Sequence, residues 1–187
     1  MSYQAEVEKL AQDVRAIGEN ARHEFGKLRK DQLNWKRAAD RWSVAQCFDH
    51  LITTNVAYFP IVESIVKGEK RTTLVERLPI LPKVWAKLLL KSLDPKTTRK
   101  LKAPASFRPS ASDLSETIVD DFVDHQRIVA EWMAKTKQLD VDRVVITSPA
   151  SPVVTYSLMD AFRIIVIHEQ RHFQQAKRVI EDEKFPT

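Results

Sequence analysis

The chain has 187 residues with three glycines, 29% charged and 43% hydrophobic residues, which favours one helix-rich domain over residues 1–187 and argues against a turn-rich all-β protein. The single Cys47 excludes an internal disulfide, and no run reaches the roughly 18 apolar residues of a membrane span. The N-terminus lacks the apolar region of a signal peptide, so we expect a cytoplasmic protein. The net charge of +5 is concentrated in residues 67–108, which hold twelve Lys or Arg against three acids, so basicity is not a property of the whole surface.

The first half of the chain predicts two long helices. Apolar residues recur every three or four positions over residues 3–28, which is typical of an amphipathic helix. After an ordered connection, Ser43 and Gln46 match a capping box and begin a second helix that runs to about residue 67. Pro60 interrupts that helix, where we expect a kink or a local loss of hydrogen bonding.

The second half predicts two more long helices after an irregular, Pro-containing basic middle at residues 68–110. The run KVWAKLLLKSL in that middle favours a short helix. A third long helix is predicted over about residues 112–137. Two β-branched runs before Ser157 are compatible with a small hairpin, and Ser157 is the predicted cap of a fourth helix that ends at about residue 182. The predicted fold is all-α, a four-helix bundle with a long crossover between its second and third helices.

Two histidines in the fourth helix, His168 and His172, are four residues apart, so both imidazoles project from one face of that helix. This spacing lets two ring nitrogens reach one metal ion at roughly 2.0–2.1 Å. Two ligands rarely hold zinc well, and His50 in the second helix is the candidate for a third. Taken singly, each of these histidines is more often a core or surface residue than a ligand.

The run HEQRH, which ends at His172, also matches the HExxH pattern of zinc proteases, whose Glu is the general base. Only fifteen residues follow His172, which leaves no room for a further ligand-bearing helix. The extended protease pattern requires Gly and His where this chain has Gln175 and Arg178. These departures argue against a protease.

Two motifs resemble the DinB-like family. WSVAQCFDHL, with a His seven residues after the Ser of a Trp-Ser helix start, is similar to that family's second helix, and RHFQQAKRV is similar to its last helix. The resemblance covers nearly the full length. It implies a four-helix bundle with His50, His168 and His172 as metal ligands, related to transferases that use thiols such as bacillithiol or mycothiol.

From this resemblance we expect a metal-dependent enzyme, either a hydrolase or a low-molecular-weight-thiol transferase, with zinc or nickel as cofactor and a small-molecule substrate. Three protein nitrogens leave a coordination position open for water or a thiol. Glu169 and Asp49 each neighbour a ligand but are rotated about 100° around the helix, so we expect them to be structural or to support the ligands. The catalytic residues stay unassigned.

An alternative is a non-catalytic metal-containing binding or stress-response protein whose basic middle contacts a membrane surface or a partner. A fourth protein ligand would favour this alternative, because a closed coordination shell leaves no place for substrate. Nucleic-acid binding ranks below both, since the chain has no recognition motif. The apolar helix faces make a homodimer the expected assembly.

Four further residues bear on the site. His125 falls on the apolar side of the third helix, either as a core histidine or as a fourth ligand or substrate contact. His23 is expected at the surface and Cys47 as a small buried hydrophobe. Gln175, one turn after His172, lies either near the site or at the surface.

In KVWAKLLLKSL, three lysines spaced four residues apart share one face, while Trp85, Leu88 and Leu89 fall toward another. Such a helix is typical of a membrane interface, but also of a helix packed over a bundle with its lysine stems reaching water. We favour packing, with the positive charge attracting an anionic substrate or thiol toward the site.

Overall fold

A computed structural model describes residues 3–78, 81–95, 104, 107–109 and 112–187. In this part the chain is mostly helical, with one two-stranded antiparallel hairpin, which confirms the predicted all-α class. The elements are α1 (Tyr3–Phe25), α2 (Lys30–Asn34), α3 (Val44–Val56), α4 (Phe59–Val66), a 3-10 helix (Val75–Arg77), α5 (Leu81–Ser92), α6 (Ile118–Lys135), β1 (Val145–Thr147), β2 (Thr155–Ser157) and α7 (Leu158–Ile180).

The four helices α1, α3, α6 and α7 close a ring, because α1 and α3 each contact both α6 and α7. Their apolar stripes meet in one core. Phe48 of α3 lies at its centre, with ring centroids 5.4 Å from Phe25 and 4.7 Å from Phe122, and all three side chains are fully buried. The ring holds α3 directly against α7, the two helices that carry the candidate ligands.

The second predicted helix begins as expected and then breaks. Ser43 Oγ accepts a hydrogen bond from Gln46 N at 3.1 Å, and Gln46 Oε1 accepts one from Ser43 N at 3.3 Å, which completes the capping box. α3 ends at Val56, and α4 starts at Phe59 with Pro60 in its first turn. The expected interruption is confirmed, because proline clashes with the carbonyl four residues earlier but fits the start of a new helix.

The third predicted helix begins later than residue 112, because tertiary hydrogen bonds hold the preceding chain in another conformation. The Asn34 side chain accepts from Leu114 N at 2.8 Å and donates to Leu114 O at 2.9 Å. The second bond occupies the Leu114 carbonyl, which a helix starting near residue 112 would pair with the N–H of residue 118, and α6 starts only at Ile118. The hairpin is present, with Ile146 paired with Tyr156, and Ser157 caps α7 by accepting from Asp160 N.

The predicted short helix of the basic middle is α5, which packs against β2 and α7. Ala86 is buried in that contact and Trp85 and Leu89 are half-buried, which agrees with a helix packed over the bundle. The expectation for Leu88 was wrong: its side chain is 52% exposed, since a 3.6-residue turn rotates it out of the contact. Residues 79–80, 96–103, 105–106 and 110–111 of the predicted crossover lie outside the described residues.

Candidate metal centre

The three predicted ligands meet between α3 and α7. His50 lies in the middle of α3, and His168 and His172 lie one turn apart on α7. Their ring centroids are 4.6–5.0 Å apart in all three pairs. One ring nitrogen from each histidine lies within 4.8 Å of the other two, so these residues form a group that can hold a metal ion.

The hydrogen bond of His50 determines which nitrogen faces the group. His50 Nδ1 lies in hydrogen-bonding contact with the backbone carbonyl oxygen of Phe107, and since a carbonyl only accepts, Nδ1 must carry the proton. Nε2 is then unprotonated, and its lone pair faces His168 Nε2 within hydrogen-bonding distance. Metal-binding histidines typically donate their other N–H to a carbonyl or carboxylate in this way, which orients the ring.

The spacing of the nitrogens suits a small divalent ion. His50 Nε2 lies 3.2 Å from His168 Nε2. Two nitrogens bound to one tetrahedral zinc at roughly 2.0–2.1 Å are about 3.3 Å apart, so this pair already has the separation that a metal requires. His172 Nδ1 is buried without a hydrogen-bond partner of acceptable geometry among the described residues, a state that costs free energy unless another partner satisfies it.

All three imidazoles are held in the form that binds metal. Burial lowers the pKa of His168 to about 3, assisted by the nearby His50 and Arg171, and burial lowers the pKa of His172 well below its ordinary value. Burial also lowers the pKa of His50, although its bond to Phe107 acts in the opposite direction. At neutral pH the rings are therefore uncharged, and metal ions bind neutral imidazole.

Trp42 forms one wall of the group. Its ring stacks on His172 with centroids 5.5 Å apart and an angle of 19° between planes, and it lies 4.9 Å from His50. Trp42 directly precedes the Ser43 cap, so the start of α3 places this indole beside the ligand rings. The indole therefore covers one side of the ligand rings.

Glu169 and Asp49 flank the ligands in sequence. Glu169 is fully buried, and its Oε1 accepts a 2.8 Å hydrogen bond from Asn55 Nδ2, which ties α7 to α3. Burial raises the pKa of Glu169 to about 8, so a buried charge is disfavoured there. Asp49 is half-buried, and its negative charge partly offsets the burial that lowers the pKa of His50. The Asn55 bond agrees with the expected structural role of Glu169.

The other candidate residues lie apart from the cluster or beside it. His125 is buried, with its ring 5.6 Å from Phe59, and it is not part of the metal-holding group found in the described chain. The His23 side chain is 86% exposed, as expected. Cys47 is fully buried, and burial raises its pKa to about 12. Gln175 interacts with His172 and acts against the burial that lowers the His172 pKa, which places it near the site.

Sequence reasoning missed three contributors to this centre. The Phe107 carbonyl, the Trp42 indole and the Asn55 amide come from positions that no ligand pattern marks. Only Trp42 had a signal, since it belongs to the Trp-Ser motif before α3. The other two contacts join residues 57 and 114 positions apart in the chain, so local spacing carries no trace of them.

Comparison with known proteins agrees with the motifs. A family model described as the DinB superfamily matches residues 14–176, a range that includes all three histidines. No curated protein and no solved structure matches the chain.

Proposed function

Because the chain belongs to the DinB superfamily, we propose that it is a metal-dependent enzyme in which His50, His168 and His172 bind one divalent ion, zinc or nickel. One observation carries the proposal: three buried or half-buried imidazoles from two helices present ring nitrogens within 4.8 Å of one another. Neutral rings and the fixed tautomer of His50 are compatible with this proposal, because a metal ion binds neutral imidazole through its unprotonated nitrogen.

The proposed reaction is a hydrolysis or the transfer of a low-molecular-weight thiol to a small-molecule substrate. His50, His168 and His172 would hold the ion with a coordination position left open, and the ion would supply a Lewis acid that eases loss of a proton from water or a thiol. The chain holds the ligand rings in place through the Phe107 carbonyl and the Trp42 stack. Glu169 is engaged with Asn55, so the proton acceptor of the reaction is not assigned to it.

A transferase of this kind must take its thiol from a co-substrate. Cys47 is the only cysteine in the chain, and its thiol is fully buried with a pKa of about 12. A thiolate is the reactive form of cysteine, and at neutral pH this residue forms almost none. The protein's own sulfur therefore does not supply the nucleophile.

Elemental analysis of the purified, tag-free protein tests the metal site. We expect about one metal ion per chain in the wild type and its loss in His50→Ala, His168→Ala and His172→Ala. His125→Ala is the matched control, because it removes a buried histidine outside the cluster and should retain the metal. Retention of full metal by all three cluster variants would refute the site.

The assembly and the reaction need separate measurements. Multi-angle light scattering on the same sample tests the proposed homodimer. Screening the metal-loaded protein with low-molecular-weight thiols and with hydrolysable esters and amides then distinguishes the two reaction classes. Turnover that survives in His168→Ala would show that the activity does not arise at this centre.

A further inference from the structure

Exposed apolar side chains are concentrated in one short stretch of the chain. Nine large hydrophobic side chains are exposed among the described residues, and four of them lie between residues 74 and 88. These four are Leu74 (79% exposed), Leu78 (49%), Val84 (45%) and Leu88 (52%). Single exposed hydrophobics are common on soluble proteins, whereas Val84 and Leu88 lie one turn apart on α5 and therefore form adjoining apolar surface of the kind that a partner can contact.

The two of these residues on α5 lie beside three lysines. Lys83, Lys87 and Lys91 are exposed, and they share an arc of about 140° around the helix with Val84 and Leu88. We call these five residues the outer face of α5. The opposite side of the helix, including buried Ala86, packs against β2 and α7, so the outer face is presented on a fixed scaffold.

The charge of this face is uniform. The sequence of α5, LPKVWAKLLLKS, has three lysines and no acid. In the stretch just before it, the side chain of Glu76 is buried against Lys70, whereas Arg71 and Arg77 are exposed. The surface thus combines aliphatic side chains with positive charge.

This combination distinguishes between kinds of partner. Cores of protein–protein interfaces are depleted in lysine, whereas helices that lie on membranes place lysines beside the aliphatic side chains they insert. A nucleic-acid backbone attracts the lysines but has no place for exposed Val and Leu side chains. The negative surface of a bilayer with anionic lipids satisfies both groups, because its phosphates pair with lysine and its acyl boundary takes up aliphatic carbon.

We propose that the outer face of α5 docks the protein on anionic membrane surfaces, with Val84 and Leu88 entering the headgroup region and the lysines contacting lipid phosphates. No helix in the described part of the chain meets the length and hydrophobicity of a membrane-crossing segment. The docking does not depend on the metal centre.

Co-sedimentation of the full chain with vesicles tests the docking. We expect binding to vesicles of phosphatidylcholine with 30% phosphatidylglycerol at low salt, and little binding to phosphatidylcholine alone. The triple variant Lys83→Gln, Lys87→Gln and Lys91→Gln should bind about 100-fold more weakly, since each lysine near an anionic surface contributes about fivefold. The double variant Val84→Ser and Leu88→Ser should bind about tenfold more weakly, because it removes the inserted aliphatic groups.

Matched controls separate this face from general charge and hydrophobicity. Lys9→Gln, Lys27→Gln and Lys184→Gln together remove the same charge from exposed positions outside α5, and Val56→Ser with Ile128→Ser removes two similarly exposed aliphatic side chains. Both controls should bind like the wild type. Absence of binding to anionic vesicles, or equal weakening in the control and α5 lysine variants, would overturn the proposal. A change from dimer to monomer in the Val84 and Leu88 double variant would also overturn it, by assigning the face to contact between copies.

Discussion

Replacing Glu76 with Gln should destabilise the protein in a pH-dependent way. Glu76 lies in the 3-10 helix, and its side chain is 3% exposed. Oε2 accepts hydrogen bonds from Lys70 Nζ at 2.7 Å and from Thr73 N at 3.0 Å, while Oε1 accepts one from Thr147 Oγ1 at 2.9 Å. Because Thr147 belongs to β1, the Glu76 carboxylate links the 3-10 helix to the hairpin by a hydrogen bond.

The magnitude follows from what the substitution keeps and what it removes. Gln has nearly the same shape, and its amide oxygen can still accept from Lys70 and Thr73 while its NH₂ group donates to the Thr147 hydroxyl. The negative charge is lost. Hydrogen bonds to charged groups contribute roughly 1.5–3 kcal/mol and neutral ones about 0.5–1.5 kcal/mol, so Glu76→Gln should lower the free energy of unfolding by about 1–2 kcal/mol at pH 7.

The sign of the pH dependence follows from the pKa of Glu76. Burial by itself raises this pKa, but the hydrogen bonds from Lys70, Thr73 and Thr147 outweigh burial and bring the pKa below its ordinary value of 4.5. A carboxyl whose pKa is lower in the folded state contributes stability above its unfolded pKa and loses it as pH falls through the folded pKa. The difference in the free energy of unfolding between Glu76→Gln and wild type should have its full value at pH 7 and should become smaller below about pH 4.5.

Urea denaturation followed by circular dichroism, repeated from pH 7 to pH 3.5, measures this difference. Glu131→Gln is the control, since Glu131 is an exposed acid on α6 and its substitution should change stability by less than about 0.5 kcal/mol. The m-value should be the same for all three proteins, because the surface exposed on unfolding is unchanged. A destabilisation of Glu76→Gln that stays constant down to pH 3.5 would refute the assignment of the effect to the carboxylate charge.

Two further predictions concern the neighbourhood of the metal centre. The Cys47 thiol is fully buried with a pKa of about 12, so a thiol reagent such as Ellman's reagent should react with it only at the rate of unfolding. Immediate reaction of the native protein would contradict this burial. Trp42 lies 4.9–5.5 Å from two ligand rings, so nickel binding should quench tryptophan fluorescence in the wild type and much less in Trp42→Phe at equal metal content. Equal quenching in both proteins would place the metal elsewhere.

The elements that could be predicted from sequence are those determined by local patterns. The Ser43 and Ser157 caps, the break near Pro60 and the short α5 were all expected, because capping, proline geometry and helical periodicity act within a few residues. The start of α6 was predicted too early, since the Leu114 carbonyl is hydrogen-bonded to the distant Asn34 and not to a following helical N–H. Exposure of Leu88 was missed because its neighbours on α5 share its apolar character.

For the candidate site, the amino-acid sequence by itself identified the three histidines as candidate ligands and placed His168 and His172 on one helix face. It also identified the family to which the chain belongs. Only the tertiary structure decided that His50 reaches that pair, which nitrogen it presents and what surrounds the group. The physical reason is the range of the forces involved. Helix periodicity places side chains at i and i+4 together, whereas the contacts of His50 with Phe107 and His168 join segments that meet only when the apolar faces of the helices pack.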